Sequence, residues 1–98
     1  MSAKNRPDTV DRYDYLTLEG VITAARVLKT KAGTLMAFVK VYCADGPAEL
    51  VFLPSVYAAN SEALLIGGRI KAQTLPDSNE KGEVMYLVDE VISLDVTS

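Results

Sequence analysis

Residues 33–46, GTLMAFVKVYCADG, alternate with a period of two. Odd positions carry Leu35, Ala37, Val39, Val41 and Cys43, small or aliphatic side chains suited to a core. Even positions carry Met36, Phe38, Lys40 and Tyr42, which put an aromatic ring on each side of an ammonium group. Successive side chains of a strand point to opposite sides, so the pattern predicts a strand over 34–43 with the odd set inward and the even set outward. Asp45, Gly46 and Pro47 then punctuate a tight turn. Polar residues are the rule on an outer face, so two rings there mark it as a candidate binding surface.

Working outward, residues 16–30, LTLEGVITAARVLKT, read as a long first strand, with Gly20 placed where such a strand could bend or bulge. KAG turns the chain into the second strand, and AELVFL, residues 48–53, forms a third. Pro54 ends that strand and suits the first turn of a helix over 54–65, whose Val56, Tyr57 and Leu64 are expected to face the core. Gly67 and Gly68 close the helix. RIKAQTL, residues 69–75, reads as the fourth strand, PDSNEKGE, residues 76–83, as a polar loop, and VMYLVDEVISL, residues 84–94, as the fifth. Three strands, a short helix and two strands are the order of an OB-fold barrel, in which the helix plugs the open end. The expected fold is therefore all-β: a five-stranded antiparallel meander closed as an OB-fold barrel, with a short helix between strands 3 and 4. It occupies residues 16–98, behind an N-terminal tail of residues 1–15 that mixes charges with Pro7 and shows no periodicity.

Ninety-eight residues suffice for one modest core, and 49% hydrophobic with 23% charged residues is the composition of a folding chain. No apolar run approaches the roughly 20 residues that span a bilayer, and the first residues are polar, so a cytoplasmic protein with no membrane partner is expected. Histidine is absent and Cys43 is the single cysteine, on the inward parity of its strand. Imidazole acid-base chemistry, hydrolase triads and the common zinc ligand sets go with them. The carboxylates have no EF-hand spacing, and no glycine-rich phosphate loop is present. The expectation is a protein that is not an enzyme and uses no cofactor or metal.

Net charge is −3, but its distribution is uneven. Between Gly20 and Ala44 there is no acid, whereas Arg26, Lys29, Lys31 and Lys40 all lie there. From Asp77 onward Asp77, Glu80, Glu83, Asp89, Glu90 and Asp95 face only Lys81. Arg26, Lys29 and Lys31 surround the turn after the first strand, with the face of Arg26 set by where that strand bulges. Arg69 and Lys71 share a parity on the fourth strand. Tyr86 either stacks on a base or closes the barrel.

The stretches GVITAARVLKTKAGTLMAFVKV, AELVFLPSVY and GGRIKAQ resemble the OB domain near the C-terminus of the bacterial DNA polymerase III alpha subunit and, more distantly, the anticodon-binding OB domains of class II aminoacyl-tRNA synthetases. The resemblance covers Leu18 to Asp95. It implies a single-stranded nucleic-acid site on the second and third strands, flanked by the loops after the first and fourth. By the synthetase branch Phe38 would stack on a base, and Glu49 stands where a polar residue of the third strand contacts bases. Glu49 departs from that pattern, because a carboxylate repels phosphate and only accepts hydrogen bonds. Cys43 replaces the family's acid at the end of the second strand. No counterpart of a polymerase catalytic domain is present, so only the OB module carries over.

Together these readings predict binding of single-stranded nucleic acid, DNA rather than RNA, in replication or repair and without strong sequence preference. The candidate residues are Lys29, Lys31, Phe38, Lys40, Tyr42, Lys71, Tyr86, Arg26 and Arg69. Rings would stack on bases and cations would neutralise phosphates. The alternative is an OB module that docks on a replisome protein or another nucleic-acid enzyme, which the net acidity favours.

Overall fold

A computed structural model of the protein describes residues 15–95. The expected tail therefore lies outside the described residues except for Tyr15, as do the last three residues of the expected domain. Five strands, β1 (Leu16–Lys29), β2 (Leu35–Cys43), β3 (Gly46–Phe52), β4 (Arg69–Ser78) and β5 (Val84–Asp95), close into a barrel in the order β1-β2-β3-β5-β4. A helix, α1 (Pro54–Asn60), lies between β3 and β4 and packs on β2, β3 and β5. This is the OB-type barrel expected from the order of elements.

The sheet is mixed rather than an antiparallel meander, because β3 and β5 pair in parallel through Leu50↔Tyr86 and Val51↔Leu87. The α1 crossover carries the chain over the barrel end, so β4 begins beside β1 instead of β3. β5 then returns into the gap between β4 and β3, running the same way as β3. A long, bent β1 makes closure possible: Leu16–Val21 pair with β4 and Gly20–Lys29 with β2. Gly20 sits in both ladders, opposite Cys43 and Ile70. A Cβ there would lie 2.6 Å from the Tyr42 carbonyl oxygen, so the crossing needs glycine for close approach. The bulge expected at Gly20 is instead at Thr23, where the register steps from Ile22 to Ala24.

Ile22, Val39, Val41, Leu50, Phe52 and Ile70, each at most 1% exposed, fill the barrel. Leu64 closes one end, with Val56 and Tyr57 of α1 packed on the same cluster. Thr74 is the buried polar residue among them, and its hydroxyl donates to the Leu16 carbonyl at 2.9 Å, tying the start of β1 to β4. The helix is shorter than the expected 54–65. At Asn60 the backbone leaves helical geometry and the side-chain amide donates to the Val56 carbonyl at 2.8 Å, after which Ser61–Ala63 form a single 3-10 turn.

Residues 76–78, expected as loop, extend β4. Pro76 stands opposite Tyr86 on β5, and among the described residues the β1–β4 ladder ends at Thr74, so the missing N–H of Pro76 breaks no bond of that ladder. The remaining turn is tight: Asn79 Oδ1 accepts from the Lys81 and Glu83 amides, and Gly82 takes φ 83°. Among the described residues no helix is long and apolar enough to cross a membrane.

Candidate nucleic-acid interface

Strand parity on β2 is as the alternation requires from Ala37 onward, whereas Leu35, expected inward, is 45% exposed because it pairs with Lys29 at the end of the β1–β2 hairpin arm, beyond the barrel core. Ala37, Val39 and Val41 are buried, Phe38 is half-buried, and Lys40 and Tyr42 are exposed, Tyr42 by 62%. The Thr23 bulge decides what β1 adds to that outer face. Counted by twos from the buried Ile22, Ala24 and Arg26 would point inward. One extra residue reverses the parity, so Ala24, Arg26 and Leu28 stand opposite Lys40, Phe38 and Met36 on the outside. The Thr23 hydroxyl donates to the Lys40 carbonyl at 3.2 Å, inside the irregularity. The Arg26 guanidinium consequently lies over the Phe38 ring, 5.4 Å from its centroid, within cation–π range.

On the other side, β3 places Val51 opposite Phe38, Glu49 opposite Lys40 and Pro47 opposite Tyr42. Arg26, Phe38, Lys40 and Glu49, with the small Ala24 and Ala25, line an open cleft of about 400 Å³. Lys40 and Glu49 also line a second cleft of about 290 Å³, with Thr23, Pro47, Ala48 and Val84. The two hollows adjoin through this cross-strand pair. Phe38, Val51, Leu87 and Leu75 stand opposite one another in turn across β2, β3, β5 and β4, an apolar row with Arg26 at its end in which Val51 is itself buried.

The other expected residues fall elsewhere. Lys29 has the register of Ala37 and Val39, hence the opposite side of the hairpin from Arg26 and Phe38. Lys31 lies in the turn, which is held by Thr30 and Thr34 through backbone bonds and a 2.7 Å contact between their hydroxyls. Gly33 provides the φ of 90° that this short connection needs. Both lysines flank the face without entering the cleft. Arg69 stands opposite Val21 on β1 and Asp95 on β5, and Lys71 stands opposite Glu19 and Ser93. These two cations are on the curved wall beyond β1, each with an acid in register, and the structure does not bring them to Phe38. Tyr86 takes the closing role: it packs against the core beside Leu50. Lys81 is exposed in the β4–β5 turn.

Cys43 packs at the edge of the core, where burial pushes its thiol up and the Asp45 carboxylate adds to the shift. A thiol so held is a poor nucleophile at neutral pH. Sequence reasoning missed the Lys40–Glu49 opposition, because it depends on pairing across strands. No family model matches this chain, and no curated protein matches it in sequence.

Proposed function

We propose that this protein binds single-stranded nucleic acid along the outer face of β2 and β3. The observation that carries this reading is the cleft itself: a ring, a guanidinium stacked on it and an ammonium open together to solvent, in the strand region where small barrels of this type receive single strands. Phe38 and Tyr42 offer flat surfaces to successive bases, Lys40 between them supplies the cation of the cleft, and Lys29 and Lys31 on the hairpin tip guide the backbone. DNA is favoured over RNA by the resemblance of residues 18–95 to a polymerase OB domain.

Titrating a fluorescent single-stranded oligonucleotide at several salt concentrations tests this. Affinity should fall steeply with salt. Phe38→Ala should weaken binding by roughly 1–3 kcal/mol with the fold retained, as expected for a lost stack on an outward ring. No binding of single-stranded DNA or RNA at low salt, or unchanged affinity in a folded Phe38→Ala protein, would sink the proposal. A second reading, a protein-docking module, is supported by the net charge of −3 and by the apolar Leu65 and Ile66, 50% and 72% exposed after α1.

A further inference from the structure

Lys40 and Glu49 stand directly opposite each other on β2 and β3, and both line both clefts. Opposed side chains of neighbouring strands have Cβ atoms about 4.5–5.5 Å apart, a spacing comparable to the width of a base's pairing edge. No described side chain engages either head group: the contact at Lys40 is from Thr23 to its backbone carbonyl, and Glu49 has none. The pair therefore presents one cationic donor beside two carboxylate acceptors, in a cleft also lined by Phe38, Arg26, Ala24 and Ala25.

Phosphate binding does not explain Glu49, since a carboxylate in a purely backbone-tracking groove opposes the ligand. A base edge does explain it. Guanine shows an acceptor, O6, followed by two adjacent donors, N1–H and N2–H₂, which matches one ammonium and two carboxylate oxygens in order. Adenine and cytosine each place a single exocyclic amine beside a ring-nitrogen acceptor, so one carboxylate oxygen goes unused. Thymine and uracil place one N–H between two carbonyls, and a carboxylate that takes the N–H faces both carbonyl oxygens. Single strands leave these edges free to be read.

Resting on the single-strand reading above, we infer that the cleft is a base-selective subsite for guanine, in which Glu49 accepts from N1–H and N2–H₂ and Lys40 donates to O6. The base lies against the Phe38 ring and the Arg26 guanidinium. The protein thus binds single strands with a preference at one position rather than uniformly.

The test is competition binding with oligothymidylates of about a dozen nucleotides, a length an OB barrel covers. They carry one central guanine, adenine, cytosine or hypoxanthine. Guanine should bind more tightly than thymine by roughly tenfold, the scale of a bidentate base contact, with adenine and cytosine between. Hypoxanthine keeps O6 and N1–H but lacks the N2 amine, and should lose most of the gain. Glu49→Gln should abolish the guanine preference while retaining or raising affinity for the all-thymine strand. Equal affinity for all bases in the wild-type protein would overturn the guanine subsite and leave single-strand binding intact. Failure to bind any of the strands would instead remove the reading on which it rests. A guanine preference that survives in hypoxanthine or in folded Glu49→Gln would overturn the assignment to the N2 amine and Glu49.

Discussion

Single residues set the two features on which the candidate interface depends, the bend of β1 and the outward turn of Arg26. Gly20 lets β1 pass from the β4 ladder to the β2 ladder with the Tyr42 carbonyl where a Cβ would otherwise sit. Gly20→Ala should therefore destabilise the fold by roughly 1–3 kcal/mol, the range of an overpacked position that its neighbours relieve only by moving. Urea denaturation would show this as a lower midpoint; a midpoint equal to wild type would mean that the strands separate freely at this crossing. Gly20 stood out in the sequence as a place to bend, but the bulge three residues later did not. Thr23 lies among Val, Ile and Ala residues with nothing to mark it as the extra residue. Its effect on Arg26 exists only in the pairing with β2. For the same reason Phe38, Lys40 and Tyr42 could be assigned to a face from alternation alone, while Arg26 could not.

Elements divide in the same way. The core face of β2 and of β4 repeats within the strand itself, so β2 and the start of β4 were legible from local period, whereas β3 begins at Gly46, inside the expected turn, and buries Leu50, Val51 and Phe52 in succession. Pairing between strands distant in the chain leaves no such mark, which is why the parallel β3–β5 contact and the continuation of β4 through Pro76 emerge only in three dimensions. Cations were read by parity and proximity to turns, and this grouped Arg69 and Lys71 with the hairpin lysines although β1 and its Glu19 intervene. The β1–β2 hairpin projects its Thr23–Lys29 arm with every residue exposed, and its tip is cross-braced by Thr30 and Thr34. If that arm guides the backbone, Lys29→Glu with Lys31→Glu should weaken oligonucleotides of different sequence by similar factors. It should also flatten the log–log salt slope by about 0.7 for each lysine that meets a phosphate. Arg69→Glu with Lys71→Glu, the same charge change on the far wall, should alter the slope less. Equal slopes in the two double variants would take the hairpin out of the interface.

Across the whole molecule the charges are polarised, with an acid-free basic arm on β1 and β2 and an acidic end on β4 and β5. The fold brings these regions close together at one place: Val84, the first residue of β5, lines the cleft that holds Lys40 and Glu49. The β4–β5 turn, with Asp77, Glu80 and Glu83, therefore sits near the rim of the candidate interface, where it would repel an approaching phosphate chain. Glu83, whose carboxylate accepts from the Asn79 side-chain amide at 2.8 Å, is left in place, while Asp77, whose Oδ1 accepts from the Ser78 amide at 2.8 Å, keeps that acceptor as asparagine. Asp77→Asn with Glu80→Gln should raise single-strand affinity by about twofold per carboxylate, the size of unit-charge repulsion across roughly 10 Å of water. The gain should be largest near 0.01 M salt, where the screening length is about 30 Å, and shrink at 0.15 M, where it is about 8 Å. Anisotropy titrations at the two ionic strengths would measure it. Unchanged affinity at low salt would mean that the acidic end does not face the bound strand, and its charge would then have to be explained by a basic partner protein instead.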